Sequence, residues 1–494
     1  MIVLNPICAC IFIGCGILVI FTASRYWPKP EDNPNALTTT GAEAPTVIEP
    51  PQTIPLLDVA SIASDYSKHA LSPMGLRFPF CRDLFSTNPR SRIKEQARKW
   101  YATDIRADPS IRSLIQTCSN LRTHFWFPDL PLTQEEAEYP IAYVLLIYHN
   151  TEQALRLLQA IYWPQNLYCI QIEQNARDQV YEVFKRITDC FTNLIMANMR
   201  TPYLSNPSLK LKAAMSCLND MTRMGHSWRY VQFITGEDFP LRTNAEMVKI
   251  FKTWNGSNDV SLQSIEPHYS EIFENAFNRS IQNAIPIIGP TLYYGNFEAV
   301  LSREFVEYTL NSVAAMNLYR FLVSSTLIAS EVFWTTIVHT INIGAPGQFP
   351  GICLQYFDHY QQYKRAHAMH SIVYPSGDCH SRMFLNKTCI LGIDDLVSIT
   401  QRPELFAAKF YIVFRPAAHR CMSEMMFNAT IFGRPFDTSY YLHQPAVRYH
   451  LSKRKDEFYC IDINDRQTFN QSLVNTCETS TVGRYAGVCR TAGT

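Results

Sequence analysis

The sequence has no surplus of either charge: across 494 residues, 44 Lys and Arg face 43 Asp and Glu, the net charge is +1, and no basic run occurs. That balance excludes a chain that holds nucleic acid by neutralising phosphates, since such binding needs a concentrated cationic surface. No Gly-x-Gly-x-x-Gly follows the first strand-like run and no P-loop occurs, so dinucleotide oxidoreductases and NTPases lose their main support. A paired zinc-knuckle spacing is also missing, and the 15 cysteines therefore fit an oxidising compartment better than a cytosolic one. With 47% hydrophobic and 13% aromatic residues the chain is globular with a large core rather than disordered.

Residues 1–24 carry no charged side chain, and Ile7 to Ala23 is one apolar stretch, close to the roughly 17–25 residues that span a bilayer. The segment lacks a basic leader and a small-residue cleavage site, so it reads as an uncleaved signal-anchor. Arg25 and Lys29 follow the span and by the positive-inside rule pull that side toward the cytoplasm. The cysteine-rich bulk behind them places it in the lumen instead, leaving residues 1–6 as a short cytoplasmic tail. From about 24 to 60 the chain is rich in Pro, Thr, Ala and Glu with no periodic apolar face, as expected of a stem. Five Asn-x-Ser/Thr sequons, at Asn255, Asn278, Asn386, Asn428 and Asn470, agree with a lumenal location.

From residue 140 onward, short apolar runs (Ile141 to His149, Leu167 to Glu173, Thr192 to Ala197, Tyr230 to Thr235) alternate with helical spacing near 151–160, 176–189 and 209–223. Unbroken apolar runs of strand length predict buried parallel strands, and the alternation predicts an α/β domain with a sheet covered on both faces. A capping box, Thr243 to Glu246, predicts another helix after the turn GEDFPLRTN. Ligands of such sheets bind beyond the carboxyl ends of the strands, which points to His149, Glu173 and the Gly236-Glu237-Asp238 turn.

Five ordered stretches, LRLLQAIYWPQNLYCIQIE, GEDFPLRTNAE, YYGNFEAVLSREFVEYTL, SEVFWTTI and LFAAKF, resemble the core-2/I-branching β-1,6-N-acetylglucosaminyltransferase family. The resemblance runs from about Cys81 to Cys421. It implies a single-pass type II Golgi membrane protein with a disulfide-stapled GT-A-like fold, half of it Rossmann-like, in a lumenal domain over 61–440 followed by a C-terminal extension over 441–494. The implied activity is inverting transfer of N-acetylglucosamine from UDP-GlcNAc to an O-glycan of a glycoprotein, without a divalent metal or other cofactor. A homodimer is allowed, and no nucleic-acid partner is expected. Consistent with a metal-free site, the chain has no Asp-x-Asp. The family's disulfides would pair Cys81 with Cys421, Cys118 with Cys190, Cys169 with Cys217 and Cys379 with Cys389, leaving Cys353, Cys460, Cys477 and Cys489 unassigned.

Inverting transfer needs a base for the acceptor hydroxyl and positive charge on the departing diphosphate. The resemblance implies that Glu331, in SEVFW, is that base and that Lys409, in LFAAKF, is the diphosphate cation. By residue type alone these are an ordinary surface carboxylate and an ordinary exposed lysine. Where the family has a second diphosphate cation, an arginine, this chain has Asn386, with Lys387 beside it as a substitute. Nucleoside contacts map to Leu146, Tyr148, His149 and Glu173; Asp238 is expected to face the donor site, with turn formation as its alternative role. The family's acceptor-gripping residues are not retained: their positions fall on or near Ser261, Tyr269, Ile272, Met369 and Ser371. Two rivals follow, a silent sugar- or partner-binding relative and a transferase with another donor, such as a peptide xylosyltransferase. His359, His367, His370 and His380 lack metal-site spacing and read as loop histidines.

Overall fold

The computed structural model describes residues 54–58, 81–86, 91–99, 111, 113–198, 200–204, 206, 208–262, 292–325, 328–351, 371–373, 379–385 and 388–452. The expected cytoplasmic tail and membrane anchor lie outside these residues, as do nearly all of the stem, Lys387, the sequons Asn278, Asn386 and Asn470, and the unassigned cysteines. Among the described residues no helix is long and apolar enough to cross a membrane.

The four apolar runs are strands β1 (Ile141–Ile147), β2 (Leu167–Ile172), β3 (Leu194–Met196) and β4 (Tyr230–Thr235), and they pair in parallel. β4 turns into a two-residue strand, β5 (Phe239–Pro240). Two further strands complete a six-stranded sheet in the order β3-β2-β1-β4-β7-β6: β7 (Ala299–Ser302) pairs antiparallel with β4, and β6 (Asp259–Val260) pairs antiparallel with β7. In β1 the pleat splits one apolar run between two cores. Ile141, Tyr143, Leu145 and Ile147 enter one hydrophobic cluster, and Ala142, Val144 and Leu146 enter another. Every residue of the strand is buried, which is why its sequence shows no alternation.

Helices α1 (Thr151–Ile161), α2 (Asp178–Thr188) and α3 (Ser208–Arg223) make the crossovers. Only three residues separate α1 from β1, because Asn150 adopts the left-handed conformation (φ 51°) and its side chain accepts from the Gln153 N–H. α4 (Asn244–Trp254) opens on the expected capping box, Thr243 with Glu246. After β7 come α5 (Arg303–Asn311), α6 (Val313–Ser325) and α7 (Ala329–His339). α7 is apolar nearly all round, and its Trp334 stacks on Phe233 of β4 with ring centroids 5.3 Å apart.

A second, smaller layer joins β8 (Ser371–Val373), the hairpin β9 (Phe384–Leu385) and β10 (Thr388–Cys389), and β11 (Phe406–Ala408). β11 lies between β5 and β8, so the turn after β4 and the segment ahead of Lys409 share one small sheet. The helix α8 (Pro416–Phe432) packs a third core over it, with Phe239, Leu391, Phe410, Ala418 and Met422.

Four disulfides pair as the resemblance implies, Cys81 with Cys421, Cys118 with Cys190, Cys169 with Cys217 and Cys379 with Cys389. The first anchors the helix Cys81–Leu84 to α8, and the third fastens β2 to α3. The fold continues past residue 440 through α9 (Ser439–Leu442) and α10 (Pro445–Leu451). Tyr441 is buried, donates to the Pro403 carbonyl at 2.7 Å and accepts from Arg242 at 2.9 Å. The boundary expected at 440 falls inside packed structure, since Tyr441, Val447 and Tyr449 just beyond it are core residues.

The Cys81–Cys421 bridge spans a sequence separation of 340 residues. By the chain-entropy account, replacing both cysteines by serine should lower stability by roughly 2–5 kcal/mol. Denaturant unfolding of the double variant checks this, and a loss below about 1 kcal/mol would mean that packing alone holds the two segments together.

Candidate active site

Beyond the carboxyl ends of β1 and β4, five side chains converge. Glu237, in the turn after β4, is 1% exposed; its Oε2 is 2.8 Å from Lys409 Nζ and its Oε1 is 3.1 Å from His149 Nε2. The hydroxyls of Tyr148 and Tyr411 lie beside the same carboxylate. Burial by itself would raise the Glu237 pKa, but the His149 contact, the Lys409 charge and the Tyr148 hydroxyl outweigh it and bring the group down to about 2. Burial also pushes the Tyr148 and Tyr411 hydroxyls well above their ordinary range, with the Glu237 charge adding to the rise, so both remain protonated donors.

One amide fastens the segments bearing this group. The fully buried Gln153 donates to the carbonyls of Gly236 (3.0 Å) and Phe410 (2.7 Å), and its Oε1 accepts from the Ile412 N–H (2.9 Å). The Phe410 N–H in turn donates to the Glu237 carbonyl at 2.9 Å, and the Leu391 N–H donates to the Lys409 carbonyl at 2.9 Å. The Ala408–Lys409 peptide is cis. The Leu391 hydrogen bond holds the Lys409 backbone while the lysine side chain stays 37% exposed.

Glu331 sits in a second group, half-buried in the first turn of α7. Burial raises its pKa; a hydrogen bond from Tyr294 and the Lys210 charge oppose that rise, and Glu298 reinforces it. The turn is held by the Gly295 N–H, which donates to the Glu331 carbonyl at 2.8 Å. Only glycine fits there, because a Cβ at 295 would lie 2.1 Å from the Ser261 carbonyl oxygen and 2.6 Å from Thr335 Oγ1. Ser261, at an expected acceptor position, is itself buried, and its hydroxyl accepts from the Asn296 N–H.

The structure gathers Tyr148, His149 and Lys409 from among the expected donor-site residues. Leu146 is a correction: its side chain is in the core and its carbonyl accepts from the Gly236 N–H at 3.0 Å, so it supports the turn from inside the sheet. Glu173 follows β2 directly, is buried, and accepts from the Asn175 N–H at 2.5 Å. Asp238 takes the turn-forming role, its Oδ2 accepting from the Thr235 N–H at 2.6 Å. Of the described sequons, Asn255 is exposed at the end of α4 and Asn428 is partly buried in α8.

Sequence alone points to Glu237 only as part of the strand-end turn and gives no role to Tyr411 or Gln153. Glu237 had a signal in the Gly-Glu-Asp turn at a strand end, and Gln153 had one as a polar residue within an apolar helix register. Among the described residues, Cys379, Cys389 and Asp395 lie close enough to suggest a metal set. The two sulfurs are joined to each other, and Asp395 accepts from the Gly392 and His380 N–H groups at 2.8 Å each, so the set is structural.

Residues 141–400 match the profile of the Core-2/I-Branching enzyme family. The chain is 28% identical over 341 residues to the rat "Beta-1,3-galactosyl-O-glycosyl-glycoprotein beta-1,6-N-acetylglucosaminyltransferase 3", covering 65% of this chain and 76% of that one. It is equally 28% identical over 319 residues to the mouse "N-acetyllactosaminide beta-1,6-N-acetylglucosaminyl-transferase", covering 62% and 77%. Among solved structures, mouse xyloside xylosyltransferase 1 aligns at a TM-score of 0.25 and 12% identity, over 46% of this chain and 93% of that one. A score that low carries no argument.

The Glu237 shift fixes a pH dependence of stability. A carboxyl lowered from 4.5 to about 2 on folding contributes stability that is fully present above pH 4.5 and is lost as pH falls toward about 2. Melting curves of Glu237→Gln should therefore lie below wild type at neutral pH and converge on it across that acid window. Parallel curves would show that the carboxyl is not held by these partners. A second variant, Gly295→Ala, should lose stability by about 1–3 kcal/mol, read from the same melts.

Proposed function

The chain belongs to the Core-2/I-branching enzyme family, and on that premise we propose that it is an inverting, metal-independent glycosyltransferase of GT-A-like fold. It moves N-acetylglucosamine from UDP-GlcNAc to a sugar hydroxyl of an O-glycan, as a single-pass type II protein of the Golgi membrane. Relatives named as β-1,6-N-acetylglucosaminyltransferases support the reaction class.

The observation behind this reading is Glu331, a half-buried carboxylate with a raised pKa, braced through its own carbonyl by Gly295. A base is more effective as its pKa approaches working pH. In the proposed step the acceptor oxygen attacks the anomeric carbon on the face opposite UDP, and its proton passes to the Glu331 carboxylate. The bond from the anomeric carbon to the β-phosphate oxygen breaks, its electron pair leaving with UDP. Lys409, with Lys387 as a second cation, stabilises the charge developing on the diphosphate. Tyr148, His149 and Glu173 line the nucleoside end, where open α/β sheets bind ligands. A catalytically silent sugar- or partner-binding relative is the second reading, favoured by the ion pair that already occupies Lys409.

Glu331→Gln should lower kcat by about 10²–10⁴-fold while UDP still binds. Because the pKa of Glu331 is raised, the acid limb of wild-type kcat/KM should lie above 4.5, and activity should fall as pH drops through it. Retained transfer in the variant would refute the base assignment. Turnover lost in EDTA would refute the metal-free mechanism. No UDP binding, together with no measurable wild-type transfer to a panel of O-glycan acceptors, would favour the second reading.

A further inference from the structure

The buried carboxylate of Glu237 has no part in the transfer step above, yet it touches the one described cation assigned to the diphosphate. Lys409 is 2.8 Å from it, so one negative charge already faces the ammonium that a nucleotide would use. The carboxylate has little freedom to withdraw. His149 and Tyr148 approach it from the end of β1, Tyr411 and Lys409 from the segment after β11, and its own carbonyl accepts from the Phe410 N–H. Gln153 locks both backbone segments from below. Its neighbour Asp238 is turned into the β4 turn. A nucleotide that reaches Lys409 therefore meets a fixed anion beside the cation, at a site where poor solvation strengthens repulsion.

Resting on the donor reading above, we propose that Glu237 is a fixed internal counter-anion of the donor site, which neutralises Lys409 when the site is empty and weakens binding of free UDP more than of UDP-GlcNAc. Free UDP carries about one more negative charge at neutral pH, since its terminal phosphate keeps a second ionisation near ~6. An anion held in the site thereby favours release of the spent nucleotide over loss of the donor. The low pKa of Glu237 keeps it charged throughout the working pH range.

The test is a charge series, with calorimetric binding of uridine, UDP-GlcNAc and UDP to wild type, Glu237→Gln and Glu237→Asp in the intact lumenal protein. Glu237→Gln should leave uridine unchanged, tighten UDP-GlcNAc about threefold and tighten UDP about tenfold. Glu237→Asp keeps the charge and should show no graded gain. A purely structural role would instead change uridine binding along with the rest. Wild-type binding of UDP with equal or weaker binding in Glu237→Gln overturns the inference and leaves the donor reading intact. Absence of uridine-nucleotide binding in wild type, whether or not Glu237→Gln gains it, overturns the donor reading and the inference with it. Should Glu237→Gln not fold, wild-type binding of UDP and its terminal methyl ester decides. The ester, one charge poorer, should bind at least as tightly, and tighter binding of free UDP overturns the proposal.

Discussion

The geometry of the candidate donor site depends on one buried amide. Gln153 stands at the start of α1, and its three hydrogen bonds reach the Gly236 turn and the backbone at Phe410 and Ile412. Those segments are more than eighty and two hundred and fifty residues away in sequence. No other side-chain type of that length offers two donors and an acceptor in one plane without a charge. Losing it would leave two carbonyls and an N–H unpartnered in the interior, each at a cost of about 1–3 kcal/mol. His149, Glu237 and Lys409 hold their relation because their backbones share this support.

The two acidic groups show how packing sorts identical chemistry. Glu237 is almost wholly buried but has a cation, an imidazole and two hydroxyls around it, and is driven acidic. Glu331 is less buried but has weaker compensation, from Tyr294 and Lys210, and is driven the other way. Partners, more than depth, decide the sign. A carboxylate suited to accepting a proton and one that never gives up its charge thus arise from the same residue type in one domain.

Much of this was legible in the sequence. The four apolar runs became the parallel strands, because a strand buried on both faces has no polar positions to hide it, and the Thr243 to Glu246 capping box marked α4 to the residue. The disulfide pairing came from the family resemblance and agrees with the structure. The antiparallel strands β6 and β7 were not legible, being two and four residues long with the register set by tertiary pairing. Glu237 was legible only as a member of a strand-end turn. Its role depends on Lys409, which lies far along the chain and meets it only through β5 and β11. Leu146 was misjudged because a strand's end in sequence gives no sign of which face its last side chains take.

The span of the Cys81–Cys421 bridge bears on how the protein is made. Synthesis proceeds at roughly 5–20 residues per second, so the 340 residues between the two sulfurs take on the order of 20–70 s to emerge. Throughout that interval Cys81 has no native partner, while Cys118, Cys169, Cys190 and Cys217 appear beside it. Any bond it forms before Cys421 arrives is a wrong one, to be undone by thiol exchange. Maturation of this enzyme would then be limited by the oxidative pairing of Cys81, and yield should follow the isomerase capacity of the host more closely than the stability of the finished fold.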